Sequence, residues 1–233
     1  MTEFARAIII YLACVLGVVL VLYGFASRAG TQGSCESAIV FLVDASGSMT
    51  QPELDIARRS HAEAMTSFEV LSAVADSASG RVAVAYLEYG DAPILKIDWM
   101  LVDGPEAAGI FASRVMDGGA AAESSTSTAL GRALIMADEV LARAPCVTTR
   151  LVVDVFGDGA SNSGPNEYLG RNMILSRGAV INAIPLMRDP AGNDVDRHFA
   201  EFVVGGPGSF SMPVKDIGAM PMALRSKIVQ ELF

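Results

Sequence analysis

Three short stretches, far apart in the chain, carry residue types suited to holding one hard divalent cation. They are Asp44-Ala45-Ser46-Gly47-Ser48, Thr128 and Gly157-Asp158-Gly159. Mg2+ takes six oxygens at about 2.1 Å, keeps several waters and binds few carboxylates directly. Serine and threonine hydroxyls are small neutral oxygen donors; carboxylates beside them balance charge and hold the metal's waters. Gly47 lets the first stretch turn tightly, so Ser46 and Ser48 can serve one ion. With Asp44, Ser46, Ser48, Thr128 and Asp158 as candidates, the ion stays short of neutral and keeps a replaceable water. An Asp or Glu of a partner protein can then complete the shell, because the cation is the largest local charge.

Such convergence requires particular elements. The first and third stretches each follow an apolar run, Ala38-Ile39-Val40-Phe41-Leu42-Val43 and Leu151-Val152-Val153. Both runs read as buried parallel strands. In open α/β sheets, ligands sit at the carboxyl ends of strands where the strand order reverses. The rest of the chain alternates in the same way. Strands are expected at 37–44, 81–89, 94–101, 148–156, 179–186 and 209–214. Helices are expected after Thr50-Gln51-Pro52-Glu53 (a capping box with proline in the first turn), at 105–116, from Thr128 towards Pro145, and at 166–177, 194–203 and 216–232. Leu54, Ala57, His61, Ala64, Met65 and Phe68 fall at helical spacing and predict one buried stripe, with His61 packed rather than ligating. The short gap Gly90-Asp91-Ala92-Pro93 predicts a hairpin, hence one antiparallel edge strand. The fold class is therefore α/β: a doubly wound, mostly parallel sheet with one antiparallel edge strand.

The bulk properties narrow the partners. A net charge of −9 over 233 residues, with no Lys/Arg cluster, excludes nucleic acid as a ligand. The stretch Ala7 to Ala26 contains no charged residue. At a helical rise of about 1.5 Å per residue it spans one hydrocarbon core. Residues 1–29 therefore read as a membrane anchor, a transmembrane helix preceding the folded domain. The alternative is a secretory signal, cleaved after Gly24-Phe25-Ala26 or Ser27-Arg28-Ala29. Residues 30–36 form a linker and 37–233 one domain. Cys35 and Cys146 each lie just before a predicted strand. If those strands are parallel neighbours, both cysteines sit at one edge of the sheet and can form a disulfide; two unrelated thiols are the alternative. A disulfide implies an oxidising compartment. The expected location is the cell inner membrane, single-pass, with the domain facing the periplasm, or the periplasm itself after cleavage.

Asp-x-Ser-x-Ser, a separated Thr and a later Gly-Asp-Gly resemble the metal-ion-dependent adhesion site of von Willebrand factor type A domains. That resemblance implies a Rossmann-like sheet, Mg2+ or Mn2+, and acidic protein ligands. It makes Ser46 and Ser48 direct ligands, Thr128 direct or water-mediated, and Asp44 and Asp158 direct or water-mediated. A closer likeness is to a bacterial, typically exported family of such domains with no known activity. Val153-Asp154-Val155-Phe156-Gly157-Asp158-Gly159, Gly178-Ala179-Val180-Ile181-Asn182-Ala183-Ile184-Pro185 and Val204-Gly205-Gly206-Pro207-Gly208 carry it. The threonine loop departs from the pattern: Ser124-Ser125-Thr126-Ser127 precedes Thr128 where glycine is common, so Thr126 rivals Thr128; Thr128 is preferred because Thr128-Ala-Leu-Gly-Arg-Ala-Leu134 keeps the helix spacing. Asp154 is either a residue behind the metal ligands or an acid facing a polar sheet edge. Glu88 and Asp91 read as solvated or structural and are assigned no role at the site, Asn162 and Ser163 shape the loop, and His198 is placed on the surface. The expected function is a non-enzymatic binding module. The alternatives are a Mg2+-dependent phosphohydrolase, for which Ser46 stands where a second acid is wanted, and a structural docking subunit with a vestigial metal site.

Overall fold

A computed structural model describes residues 33–118, 125–188 and 193–232. The predicted N-terminal membrane segment lies outside these residues. Among the described residues no helix is long and apolar enough to cross a membrane.

In chain order the elements are β1 (Ala38–Asp44), α1 (Gln51–Thr66), α2 (Phe68–Asp76), β2 (Val82–Tyr89), β3 (Pro93–Val102), α3 (Pro105–Met116), α4 (Leu130–Leu141), β4 (Leu151–Gly157), α5 (Glu167–Ser176), β5 (Val180–Pro185), α6 (Asn193–His198) and α7 (Met220–Leu232). One π-helical turn, Phe199–Val203, follows α6, and a 3-10 turn, Ile217–Ala219, precedes α7. The sheet order is β3-β2-β1-β4-β5. β1 pairs in parallel with both β2 and β4, β4 with β5, and β3 closes one edge antiparallel to β2. The expected hairpin and antiparallel edge are thus present.

Every residue of β1 is buried, because helices cover both faces. Ile39, Phe41 and Val43 point to the face packed by α1, α2, α3 and α7. Val40 and Leu42 point to the face packed by α4, α5 and the turn after α6. The chain steps outward from β1 to β2 and β3, then returns to β4 on the other side. The strand order therefore reverses between β1 and β4, which places a crevice at their carboxyl ends. At their amino ends Cys35 and Cys146 form a disulfide with a Cα–Cα distance of 5.7 Å.

Three expectations about elements need correction. Phe68 is 82% exposed rather than part of the α1 stripe. Helix α1 stops at Thr66, and the extended Ser67 caps α2 by accepting the Val70 N–H; this resets the helical phase. The strand expected at 209–214 is reduced to isolated bridges, Ala183 to Ser211 and Leu186 to Val214. The Phe210 N–H goes to Asn182 Oδ1 (3.0 Å) instead of a backbone carbonyl, and Pro213 has no N–H to give. The C-terminal helix begins later than expected, at Met220, behind its 3-10 turn. His61 is packed, as expected. It lies edge-on to Phe41 and Tyr86, its Nδ1 is 2.8 Å from the Ala57 carbonyl, and burial lowers its pKa to about 4.

Candidate metal centre

Strand β1 delivers Asp44, fully buried, to the crevice. Its Oδ1 accepts the Ser46 N–H at 2.8 Å, which curls the chain into a tight turn directly after the strand. That turn places Ser46 Oγ 3.1 Å from Ser48 Oγ, so the two hydroxyls share one side of the loop. Strand β4 delivers Asp158, and Ser48 Oγ donates to its Oδ1 at 2.7 Å. Gly157 allows the close approach: a Cβ there would lie 3.1 Å from Asp44 Oδ2 and 2.5 Å from Tyr89 Oη. Asp44, Ser46, Ser48 and Asp158 are therefore brought into one cluster from two loops.

The third loop packs against the first. A Cβ on Gly47 would lie 2.4 Å from the Ser125 carbonyl oxygen, and one on Gly90 would lie 2.3 Å from Ser125 Oγ. Asp91, which carried no assigned role, organises this loop. Its Oδ1 accepts the Thr126 N–H (3.0 Å), the Ser127 N–H (2.8 Å) and the Ser127 hydroxyl (2.6 Å). These bonds, the Ser127 hydroxyl first, lower its pKa. Thr128 is buried and Thr126 exposed. The Thr128 N–H donates to Asn162 Oδ1 at 2.8 Å, and its carbonyl accepts the Asn162 N–H and the Ser161 hydroxyl, both at 3.0 Å. Asn162 thus ties the threonine loop to the segment that follows Asp158.

Burial, reinforced by the nearby Asp158 charge, pushes the Asp44 carboxyl up to about 7. Its Oδ2 is buried and has no hydrogen-bond partner among the described residues. A buried carboxylate oxygen left this way is costly unless something positive meets it. The neighbouring donor set is oxygen only, two carboxylates with hydroxyls, which suits a hard cation rather than a soft one. No cluster of three or more His, Cys, Asp and Glu occurs among the described residues. A site that takes hydroxyls for half its ligands does not need one.

Two residues at the rim, Arg188 and the capping Glu53, carried no expectation from the sequence of a place at this site. Arg188, three residues past the end of β5, donates Nε to Asp158 Oδ2. Its Nη1 donates to Glu53 Oε1 at 2.8 Å and its Nη2 to the Ser48 carbonyl at 3.0 Å. Glu53 also accepts the Thr50 N–H at 2.9 Å, as the capping motif predicts. The Arg188 hydrogen bond holds its carboxyl down at about 2. Arg188 follows β5, which the structure pairs with the strand carrying Asp158; no pattern in the sequence pointed to that neighbour.

Other expected roles change. Asp154 is neither behind the metal ligands nor at a polar edge. It points into the face covered by α7, where Lys227 Nζ meets its Oδ1 at 2.6 Å. Glu88 is buried and paired with Arg58 at 2.6 Å. His198 is half-buried rather than on the surface, stacked on Phe202 with Nε2 3.1 Å from Glu167 Oε1. Glu167 in turn accepts the Ser161 N–H at 2.9 Å, so α5 helps to fix the loop after Asp158.

Residues 34–233 match the model of a family described as "Protein of unknown function (DUF1194)". The chain belongs to that family. No curated protein matches. Among solved structures, the fold is similar to a von Willebrand factor type A protein from Catenulispora acidiphila (TM-score 0.56, 15% identity, covering 85% of this chain and 43% of that one). It is also similar to BatB, a conserved hypothetical protein of Bacteroides thetaiotaomicron (TM-score 0.57, 13% identity, 84% and 98%). A third is proximal thread matrix protein 1 from the mussel byssus, with a zinc-occupied MIDAS motif (TM-score 0.61, 12% identity, 87% and 49%). The chain spans less than half the length of the first and third of these. At such identities the likeness establishes the fold: this family member has a von Willebrand factor A-like domain.

Proposed function

We propose that this protein is an extracytoplasmic binding module that engages an acidic residue of a partner protein through a divalent cation. Asp44, Ser46, Ser48, Thr128 and Asp158 hold the ion, Mg2+ or Mn2+, with Thr128 preferred to Thr126 because it is the buried one. When bound, the ion supplies an electrophilic position for a carboxylate oxygen. The chain's own residues keep that position incomplete, since two carboxylates and neutral hydroxyls neutralise a dication only in part. The observation that carries this reading is Asp44 Oδ2, buried without a hydrogen-bond partner among the described residues and set beside the serine hydroxyls. Support comes from the MIDAS motif named for the mussel protein of similar fold. The disulfide supports an oxidising location. With the uncharged stretch at Ala7 to Ala26, it favours a membrane anchor with the domain in the periplasm.

The test is capture of partners from membrane extracts in Mg2+, followed by elution with EDTA. Wild type is expected to release partner on chelation, and Asp44→Ala to capture none. Equal capture by both proteins overturns the reading. Resistance of the protein to carbonate extraction checks the anchor, and its appearance in the soluble periplasmic fraction would indicate cleavage.

A further inference from the structure

Arg188 draws oxygen acceptors from three different places: the Asp158 carboxylate after β4, the Ser48 carbonyl in the loop after β1, and the Glu53 carboxylate in α1. Its side chain is 37% exposed, whereas that of Asp158 is 2% exposed. One guanidinium thus reaches in from the rim and takes an oxygen of a candidate metal ligand. We propose that Arg188 is a built-in competitor for the cation: it shares Asp158 with the metal, and Glu53 is the partner to which it withdraws when the metal takes hold. This inference rests on the metal-site reading above.

The argument is electrostatic. Asp158 Oδ2 is committed to a full positive charge, which lowers the potential that Asp158 Oδ1 and Ser48 Oγ offer to a dication. A guanidinium and a dication bound to one carboxylate also repel each other directly. Glu53 already holds Nη1, and its Oε2 lies 3.2 Å from Nη2, so a small rotation leaves Arg188 fully paired there. The guanidinium fork presents several donors at fixed angles and so can trade one acceptor for another without losing its charge partner. The consequence is a site tuned to weak metal binding on its own. An acidic partner would restore the negative charge that Arg188 withdraws, so metal and partner bind together.

The two residues therefore have opposite effects, which a purely packing role would not give. Mn2+ affinity is measured by calorimetry on the full-length protein in detergent. Arg188→Gln is expected to tighten Mn2+ binding by at least about tenfold, after allowing for solvent screening at the rim. Glu53→Gln is expected to weaken it several-fold, because Asp158 is then the remaining carboxylate partner of Arg188. Arg188→Lys keeps the charge and is expected to stay within about threefold of wild type. Mn2+ binding by Arg188→Gln that is equal to or weaker than wild type overturns the competitor while leaving the metal site standing. Absence of Mn2+ binding at millimolar concentration in all four proteins overturns both.

Discussion

Two of the carboxylate pairs among the described residues, one inside the domain and one at the sheet end, each face one basic side chain, and they are finished differently. Inside the domain, Asp154 of β4 and Glu231 of α7 share Lys227, and all three side chains are at most 2% exposed. Asn182 Nδ2 donates to the same Glu231 oxygen at 2.7 Å. At the carboxyl end of the sheet, Asp44 and Asp158 have two serine hydroxyls between them and Arg188 only at the rim. Both pairs carry one acid more than their cation can neutralise. Burial first, then the neighbouring carboxylate, raises Asp44 to about 7 at the sheet end and Glu231 to about 7 inside, where burial raises Asp154 as well. Among the described residues, the internal pair also leaves Asp154 Oδ2 and Glu231 Oε2 without hydrogen-bond partners, but a lysine on a packed helix covers it and no hydroxyls line it. The pair at the sheet end has neutral oxygen donors and an approach from solvent, so a dication can replace the proton. A carboxylate cluster becomes a binding site through what lines it and what can reach it, more than through its own charge.

The largest effect separates the two regions by stability. Lys227→Met leaves two carboxylates buried without their cation and is expected to cost about 3–5 kcal/mol in urea unfolding. Arg188→Gln takes the cation from a buried Asp158 that keeps its Ser48 hydrogen bond beside an open rim, and is expected to cost about 1–3 kcal/mol. Similar losses would mean that the sheet-end pair is as closed as the internal one.

A second contrast lies in pH. Glu231 is raised to about 7 in the folded state, against about 4.3 in an unfolded chain. Folding therefore favours its protonated form. That contribution is complete below about pH 4 and is lost as pH rises through about 7. Urea midpoints of the metal-free protein should fall over this range, and Glu231→Gln should flatten the fall. An unchanged slope would show that Lys227 alone settles the cluster.

A smaller effect concerns the loop on which Thr128 sits. Asp91→Ala removes three hydrogen bonds to residues 126 and 127 without touching a candidate ligand. Mn2+ affinity is expected to fall about tenfold, as for other residues that orient ligands from behind. Calorimetry of that variant checks it, and unchanged affinity would place the threonine loop outside the site.

How far these features could be read in advance follows from their range. Asp44, Ser46, Ser48 and Asp158 were legible because each follows an apolar strand directly, and the reversal of strand order fixes where such ends meet. The sheet itself was legible from strand-helix alternation and the Gly90–Pro93 turn. Arg188 and Glu53 were not, because their meeting depends on β5 lying beside β4 and on α1 crossing the loop, neither of which leaves a local pattern. Asp154 announced that a buried acid needs a partner, but nothing near it in sequence pointed to Lys227. The helical stripe failed at Phe68 because one capping serine shifts the phase, a change that spacing alone does not reveal. The glycine-poor loop made Thr126 a rival, helical spacing from Thr128 to Leu134 favoured Thr128, and the structure adds that Thr128 is buried and Thr126 exposed.

The central claim is that the sheet-end cluster holds a divalent cation. Titration of Mn2+ and Mg2+ into the full-length protein, with Asp44→Ala and Ser46→Ala/Ser48→Ala in parallel, tests it most directly. The account predicts one ion per wild-type chain, a raised melting temperature on loading, and neither in the two variants. No heat and no thermal shift in wild type, or equal binding in all three, would contradict it.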